Sequence, residues 1–182
     1  MSTVITLVPV TTRPALVKAE MSEADFLALG ETKHHEYYDG MCVVNPPSIR
    51  HQRAERALLF LLHPLLPAGF EVVTEAGWRT GGSWFEPDLM IVPAEGPDDI
   101  VRDPPLLIVE ILSPSNRLDD IVTKRAKYAE GGLPWYWLVD LDEASLIVLQ
   151  LIDNLFVEVQ RLTADGITVA PVQAKIDPAA LA

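Results

Sequence analysis

Apolar and polar positions along the chain follow two rhythms, one helical and one of strict alternation. In residues 48 to about 66, Ala54, Leu58, Leu61, Leu62 and Leu65 form one stripe of helical period while Arg50, Arg53 and Arg56 occupy other positions. This predicts an amphipathic helix packed on a sheet. A shorter helix is predicted before it, where Ser22 and Asp25 give an N-cap signature ahead of Phe26, Leu27 and Leu29, and Gly30 supplies a stop. His35-Glu36-Tyr37-Tyr38 and Met41-Cys42-Val43-Val44 flank Asp39-Gly40, a dipeptide suited to a tight hairpin turn, so Glu36 is expected on a strand.

Further strands are predicted at residues 70 to 74, 86 to 92 and 106 to 112, the last bounded by Pro104-Pro105 before and Ser113-Pro114 after. Residues 118 to 130 read as a helix ended by Gly131-Gly132, and residues 135 to 140 as a strand. Helix and strand thus alternate in the middle of the chain. Asp153-Asn154 and Asp165-Gly166 divide the apolar residues 145 to 170 into a closing antiparallel meander. Residues 1 to 20 show neither rhythm and are expected to be an extension or arm, leaving residues 21 to 182 as a single α/β domain.

Composition changes this picture in two ways. No apolar run approaches the roughly 20 residues of a membrane-spanning helix, the N-terminus has no basic leader, and Cys42 is the only cysteine, so a cytoplasmic protein without an internal disulfide is expected. Fourteen basic against twenty-six acidic side chains give a net charge of -12, which repels polyanions at long range. Basic residues nevertheless cluster at Arg50, Arg53 and Arg56, and again at Arg117, Lys124, Arg125 and Lys127. Each cluster reads either as a solvated helix face or as a local track for phosphates.

Two acids interrupt apolar strands. Asp88 follows Phe85-Glu86-Pro87 and precedes Leu89-Met90-Ile91-Val92, and Glu110 lies within Leu107-Ile108-Val109-Glu110-Ile111-Leu112. A carboxylate in such a setting needs compensation. A divalent cation, Mg²⁺ with Mn²⁺ as a substitute, would provide it, since this ion takes one or two protein carboxylates and completes its shell with water and phosphate. Pairing with a distant arginine, or exposure at a strand end, would also suffice. On the following helix Asp120, Lys124 and Tyr128 recur at i, i+4, so a lysine can approach the acids, although a surface pair between Asp120 and Lys124 fits the same spacing.

Read in order, His35 to Gly40, His51-Gln52-Arg53, Pro87-Asp88-Leu89, Val109 to Ser115, Asp120 to Tyr128 and Trp135 to Asp140 resemble the Uma2 family of the PD-(D/E)xK restriction-endonuclease-like superfamily, over roughly residues 21 to 181. The resemblance implies a restriction-endonuclease-like core with a mixed central sheet flanked by helices. It implies a Mg²⁺-dependent endonuclease acting on DNA phosphodiesters, with Asp88, Glu110 and Glu36 holding metal and Lys124 or Lys127 supplying the amine. It also suggests a homodimer. The superfamily pattern puts lysine two positions after the second acid, where this chain has Leu112, and the family's aromatic before the first acid is replaced by His35. His35 reads as a site residue, as a partner of Glu36 or as structural, and His51 as a phosphate contact or a partner of Glu55. Arg50, Arg53, Arg56 and Lys127 are the expected DNA contacts. A non-catalytic module of the same fold, or a metal-dependent hydrolase of a small substrate, are the competing functions.

Overall fold

Period-two alternation builds the centre of the molecule, because it gives each strand two apolar faces and each face a different covering layer. The computed structural model describes residues 17–30, 33–97, 99–114 and 116–181. Most of the expected arm, residues 1–16, and Ser115 of the family motif lie outside the described residues.

The chain runs through β1 (Val17–Glu20), α1 (Glu23–Ala28), the hairpin β2 (His35–Tyr38) and β3 (Met41–Val44), and α2 (Ile49–Leu62) with a 3₁₀ turn at His63–Leu65. Next come β4 (Phe70–Thr74), β5 (Trp78–Thr80), β6 (Ser83–Phe85), β7 (Leu89–Pro93) and β8 (Leu107–Leu112). A π-helix (Asp119–Lys124) leads into α3 (Arg125–Glu130), and then β9 (Trp135–Asp140), β10 (Ser145–Ile152), β11 (Leu155–Leu162), β12 (Gly166–Ile167) and β13 (Lys175–Ile176) close the chain.

The central sheet has the order β11-β10-β9-β8-β7-β4, with β8 and β9 parallel and the other neighbours antiparallel. A parallel pair needs a crossover, and the helix between β8 and β9 supplies it. On one face Leu89, Ile91, Leu107, Val109 and Ile111 meet Ala54, Leu58 and Leu62 of α2. On the other, Met90, Ile108, Tyr136 and Leu138 meet Tyr128 of α3 together with Tyr38, Val43, Trp78 and Phe85. Those last four come from a second sheet of order β1-β3-β2-β6-β5. The result is a mixed α+β fold whose central sheet is covered by a helix on one side and by a helix and a small sheet on the other.

The predicted hairpin, the strands at 70–74 and 135–140, and the Ser22 cap on α1 agree with the structure, the Ser22 side chain accepting from the Asp25 amide; Ser48 caps α2 in the same way, accepting from the His51 amide. The helix expected to run to about residue 66 stops at Leu62, because Pro64 supports only a 3₁₀ turn there. The strand expected from residue 86 begins at Leu89, and Pro87, which has no amide hydrogen, interrupts the run between Glu86 and Asp88. β5 and β6 were not foreseen. They are three residues each and turn through Gly81 and Gly82 at φ 53° and 77°, too short for alternation to register. The end of the expected arm, Val17–Glu20, pairs antiparallel with β3. The aromatic Trp135–Trp137 segment is largely core, with Tyr136 and Trp137 fully buried.

Leu58 is fully buried where α2 meets the sheet. Leu58→Ala should lower the unfolding free energy by about 2–5 kcal/mol in a urea titration monitored by tryptophan fluorescence.

Candidate active site

Strand register brings three acids into one row. Leu89 pairs with Val109 and Thr74 pairs with Leu89, so continuing both ladders by one residue sets Glu75, Asp88 and Glu110 side by side across β4, β7 and β8. The Glu75 amide donates to the Asp88 carbonyl at 3.3 Å, which extends the β4–β7 ladder to that point. Adjacent strands stand about 4.8 Å apart, so three carboxylates at this spacing repel one another unless cations intervene.

The cations are Lys124 and, when protonated, His51. The Asp88 Oδ2 receives the His51 Nε2 at 3.0 Å and the Ile111 amide at 2.6 Å. Neither acid is therefore uncompensated, as the strand sequences alone suggested. His51 sits at the first turn of α2, nearly buried, and its second nitrogen, Nδ1, is buried without a hydrogen-bond partner. Burial works against its protonation, yet the charge and hydrogen bond of Asp88, with the charges of Glu55 and Asp120, together outweigh it and raise the imidazole above its ordinary range. His51 thus partners Asp88, a residue neither expected reading named.

Glu110 is buried on the face of β8 that looks toward the crossover helix, and its Oε1 accepts from the Tyr128 hydroxyl at 2.7 Å and from Lys124 at 3.1 Å. The Lys124 Nζ also lies 2.9 Å from the Glu36 Oε1 and 3.3 Å from the Asp120 Oδ1. Burial opposes the charge on Lys124, but Glu110 and Glu36 more than offset this and hold its pKa well above the ordinary value. Lys124 therefore stays an ammonium at neutral pH. The Asp120 contact is an ion pair without a hydrogen bond, since both of its carboxyl oxygens lack hydrogen-bond partners. Burial pushes Asp120 up to about 7 against the pull of Lys124.

The helix supplying these groups is wound as a π-helix over Asp119–Lys124, a form concentrated at functional sites. It is seated by Asn116, whose side-chain oxygen accepts from both the amide and the hydroxyl of Ser113 at the end of β8. Leu112, in the position that the superfamily pattern gives to lysine, stays in the apolar layer beside Tyr128, and the amine reaches Glu110 from the helix instead.

The structure separates the remaining expectations. Glu36 joins the site on β2, but its Oε1 forms an ion pair with Lys124 at 2.9 Å and accepts from the Glu86 amide at 3.0 Å. Lys127 does not enter, being turned to Asp39 at 2.9 Å. His35 bonds its Nδ1 to the Lys33 carbonyl at 2.6 Å, which leaves it a local structural role. Arg50 is engaged by Asp142 at 2.5 Å and the Leu141 carbonyl, Arg117 by Asp140, and Arg125 by the Phe156 carbonyl, whereas Arg53 and Arg56 are exposed on α2. The second basic cluster is thus dispersed among separate acceptors.

A cleft of about 420 Å³ opens over the row, lined by Glu36, Glu75, Glu86, Asp88 and Glu110 with Lys124, His34, His51, Ser48 and Asn116. Among the described residues, the hydrogen bonds to Asp88 use Oδ2 and those to Glu110 use Oε1. The second oxygen of each is left uncommitted among the described residues. Two hard oxygens on neighbouring strands, in a cleft with a surplus of negative charge, match the donor set of a divalent cation such as Mg²⁺.

The Uma2 family profile, described as "Putative restriction endonuclease", matches residues 23–174. The chain belongs to the Uma2 family. Its fold is similar to the crystal structure of "a putative nuclease belonging to DUF820" from Anabaena variabilis ATCC 29413, with a TM-score of 0.71, 19% identity, and coverage of 83% of this chain and 89% of that one. A comparison with curated proteins found no match. The α+β core is therefore that of the restriction-endonuclease-like fold, and its family is one of nucleases. No helix among the described residues is long and apolar enough to cross a membrane.

The buried acids give this Uma2 protein a distinctive pH response. Glu55 and Glu86 rise from 4.5 to about 7, chiefly through burial, and Asp120 rises from 3.8 to about 7. A carboxyl that binds its proton more tightly when folded stabilises the protein fully below its unfolded pKa and loses that stabilisation as pH rises through the folded value. The metal-free protein should melt on the order of 5–10 °C lower at pH 8 than at pH 5 in differential scanning calorimetry. Melting points that rise over this interval would show that the acids are compensated by other means.

Proposed function

We propose that this Uma2 protein is a Mg²⁺-dependent endonuclease that hydrolyses DNA phosphodiester bonds. The observation that carries the reading is the adjacency of Asp88 and Glu110 across β7 and β8, with the Lys124 ammonium bonded to Glu110. Asp88 and Glu110 would hold the ion through the oxygens that the described residues leave uncommitted. Once bound, the ion would lower the pKa of a water and stabilise the charge that builds on the scissile phosphate. Lys124 is too firmly protonated to act as a base. Its role would be to donate to a phosphate oxygen or orient the attacking water. Glu36, expected as a third metal ligand, would instead hold Lys124 in place, and His51 would fix the orientation of Asp88.

On this reading Arg53 and Arg56, exposed on α2, are the strongest of the expected DNA contacts. Arg50 and Lys127 would have to leave their acidic partners to take part. A homodimer remains part of the reading, with β11 as its contact because Leu155, Val157 and Val159 are exposed at the edge of the central sheet. One observation favours a smaller substrate: the cleft has the volume of a small-molecule pocket, and its acidic lining gives a polyanion no extended basic track.

Two measurements separate these readings. Cleavage of supercoiled plasmid with Mg²⁺ should fall at least about 10²-fold in Asp88→Ala and Lys124→Ala, while Mn²⁺ binding by calorimetry should be lost only in the first. Unchanged Mn²⁺ affinity in Asp88→Ala would overturn the proposed metal pair. In a salt titration of duplex binding, the slope of log K against log [salt] should become shallower by about 1–2 in Arg53→Ala/Arg56→Ala. An unaltered slope would remove α2 from the DNA interface.

A further inference from the structure

Three residues that the chemistry above does not use meet on the rim of the cleft. His34 precedes β2, Glu75 follows β4 and Glu86 follows β6, so each comes from the end of a different strand. The His34 Nδ1 lies 3.7 Å from the Glu75 Oε1 and 3.7 Å from the Glu86 Oε1. One ligand atom from each falls within 4.8 Å of the others.

We infer that His34, Glu75 and Glu86 form a second divalent-metal site, separate from Asp88 and Glu110, that takes a first-row transition ion such as Zn²⁺. The distances favour an ion over a simple histidine–carboxylate contact. Hydrogen bonds from nitrogen to oxygen close to about 2.7–3.2 Å, and 3.7 Å is too long for either carboxylate. Ligands held about 2.1 Å from a tetrahedral zinc ion stand roughly 3.4 Å apart, so the two His34 distances need only a few tenths of an ångström of closure, while the Glu75 and Glu86 oxygens, within 4.8 Å of each other, would draw together around the ion. One imidazole nitrogen with two carboxylate oxygens is a donor set of zinc chemistry, whereas Mg²⁺ prefers oxygen alone.

The ligands are also oriented from behind. The Glu86 Oε2 accepts from the His34 amide at 2.9 Å, leaving Oε1 toward the imidazole, and the Glu75 amide is anchored to the Asp88 carbonyl. Such outer contacts hold ligands in place before a metal arrives. The three side chains are partly exposed, at 26%, 30% and 13%, so an ion can enter from solvent and keep an open coordination position.

The metal site stands whether or not the cleft cuts DNA; its consequence for a polyanion rests on that reading. Of the five carboxylates that line the cleft, two would be neutralised by the rim ion. Its open position faces solvent and would accept a phosphate oxygen or water. An acidic entrance would thereby become passable to a phosphate backbone.

The test uses the full chain, stripped of metal and titrated with Zn²⁺ by calorimetry, together with a zinc-edge anomalous map from crystals soaked in Zn²⁺. The wild type should show an anomalous peak among His34, Glu75 and Glu86. His34→Ala and Glu75→Gln should each weaken one class of Zn²⁺ sites by about 10–100-fold, and Asp88→Asn/Glu110→Gln should retain that class. Glu75→Gln keeps the size of the side chain and the anchoring amide, so it remains decisive even if His34→Ala fails to fold. Zn²⁺ binding unchanged in Glu75→Gln, or an anomalous peak elsewhere, would overturn the rim site. If the rim peak persists while Asp88→Asn/Glu110→Gln changes neither Mn²⁺ binding nor cleavage, Asp88 and Glu110 fall as the catalytic metal pair and the rim site survives; if the rim peak persists and the wild type cuts no DNA, the endonuclease reading falls and the rim site survives.

Discussion

The structure turns on one buried ammonium. Lys124 is almost wholly withdrawn from solvent and stands among Glu36, Glu110 and Asp120, which belong respectively to the small sheet, the central sheet and the crossover helix. Placing any one of these charges in the interior alone would be strongly unfavourable, and breaking such a group by removing one partner is far more destabilising than never having built it. A single cation therefore ties three layers together, alongside their apolar packing and the hydrogen bonds of the Tyr128 hydroxyl to Glu110 and of the Tyr136 hydroxyl to the Asp120 carbonyl. The same contact makes Glu110 tolerable in a strand where every other residue is apolar and buried.

The layers give the site its contrast in environment. Glu110, Asp120 and Tyr128 are enclosed, and burial raises the pKa of each. Glu75 and Glu86, one strand end away, remain partly open to water. Acids of the same type thus face the cleft from surroundings of different polarity. Tyr128 adds a rigid backstop, with its ring edge-on to Phe85 and Tyr136 and its hydroxyl on Glu110.

How much of this could be read from sequence depended on the distance over which each feature is determined. β8 and β9 are legible because dense branched and aromatic residues specify buried strands locally, and Asp88, Glu110 and Lys124 stand out because charge interrupts or follows those runs. Their joining was legible only through the resemblance to Uma2. The pairing of His51 with Asp88 spans 37 positions, and nothing near either residue announces it. Glu75 and Glu86 follow two short strands, and they approach His34 only after β4, β6 and β2 have found their places. The π-helix left no trace either, since six residues with a shifted hydrogen-bond register have almost the same apolar rhythm as an ordinary helix.

That shifted register separates two duties which a uniform helix would tie together. A π segment behaves as an α-helix that has absorbed an extra residue, so everything before it is rotated relative to everything after it. Tyr128 and Ala129 remain seated in the apolar layer, while the direction in which Asp120 projects is set independently upstream. The helix therefore works as a mechanical coupling with an offset: its far end is keyed to the hydrophobic layer, and its near end is free to be indexed to the charges. Lys124, at the junction, takes its position from both.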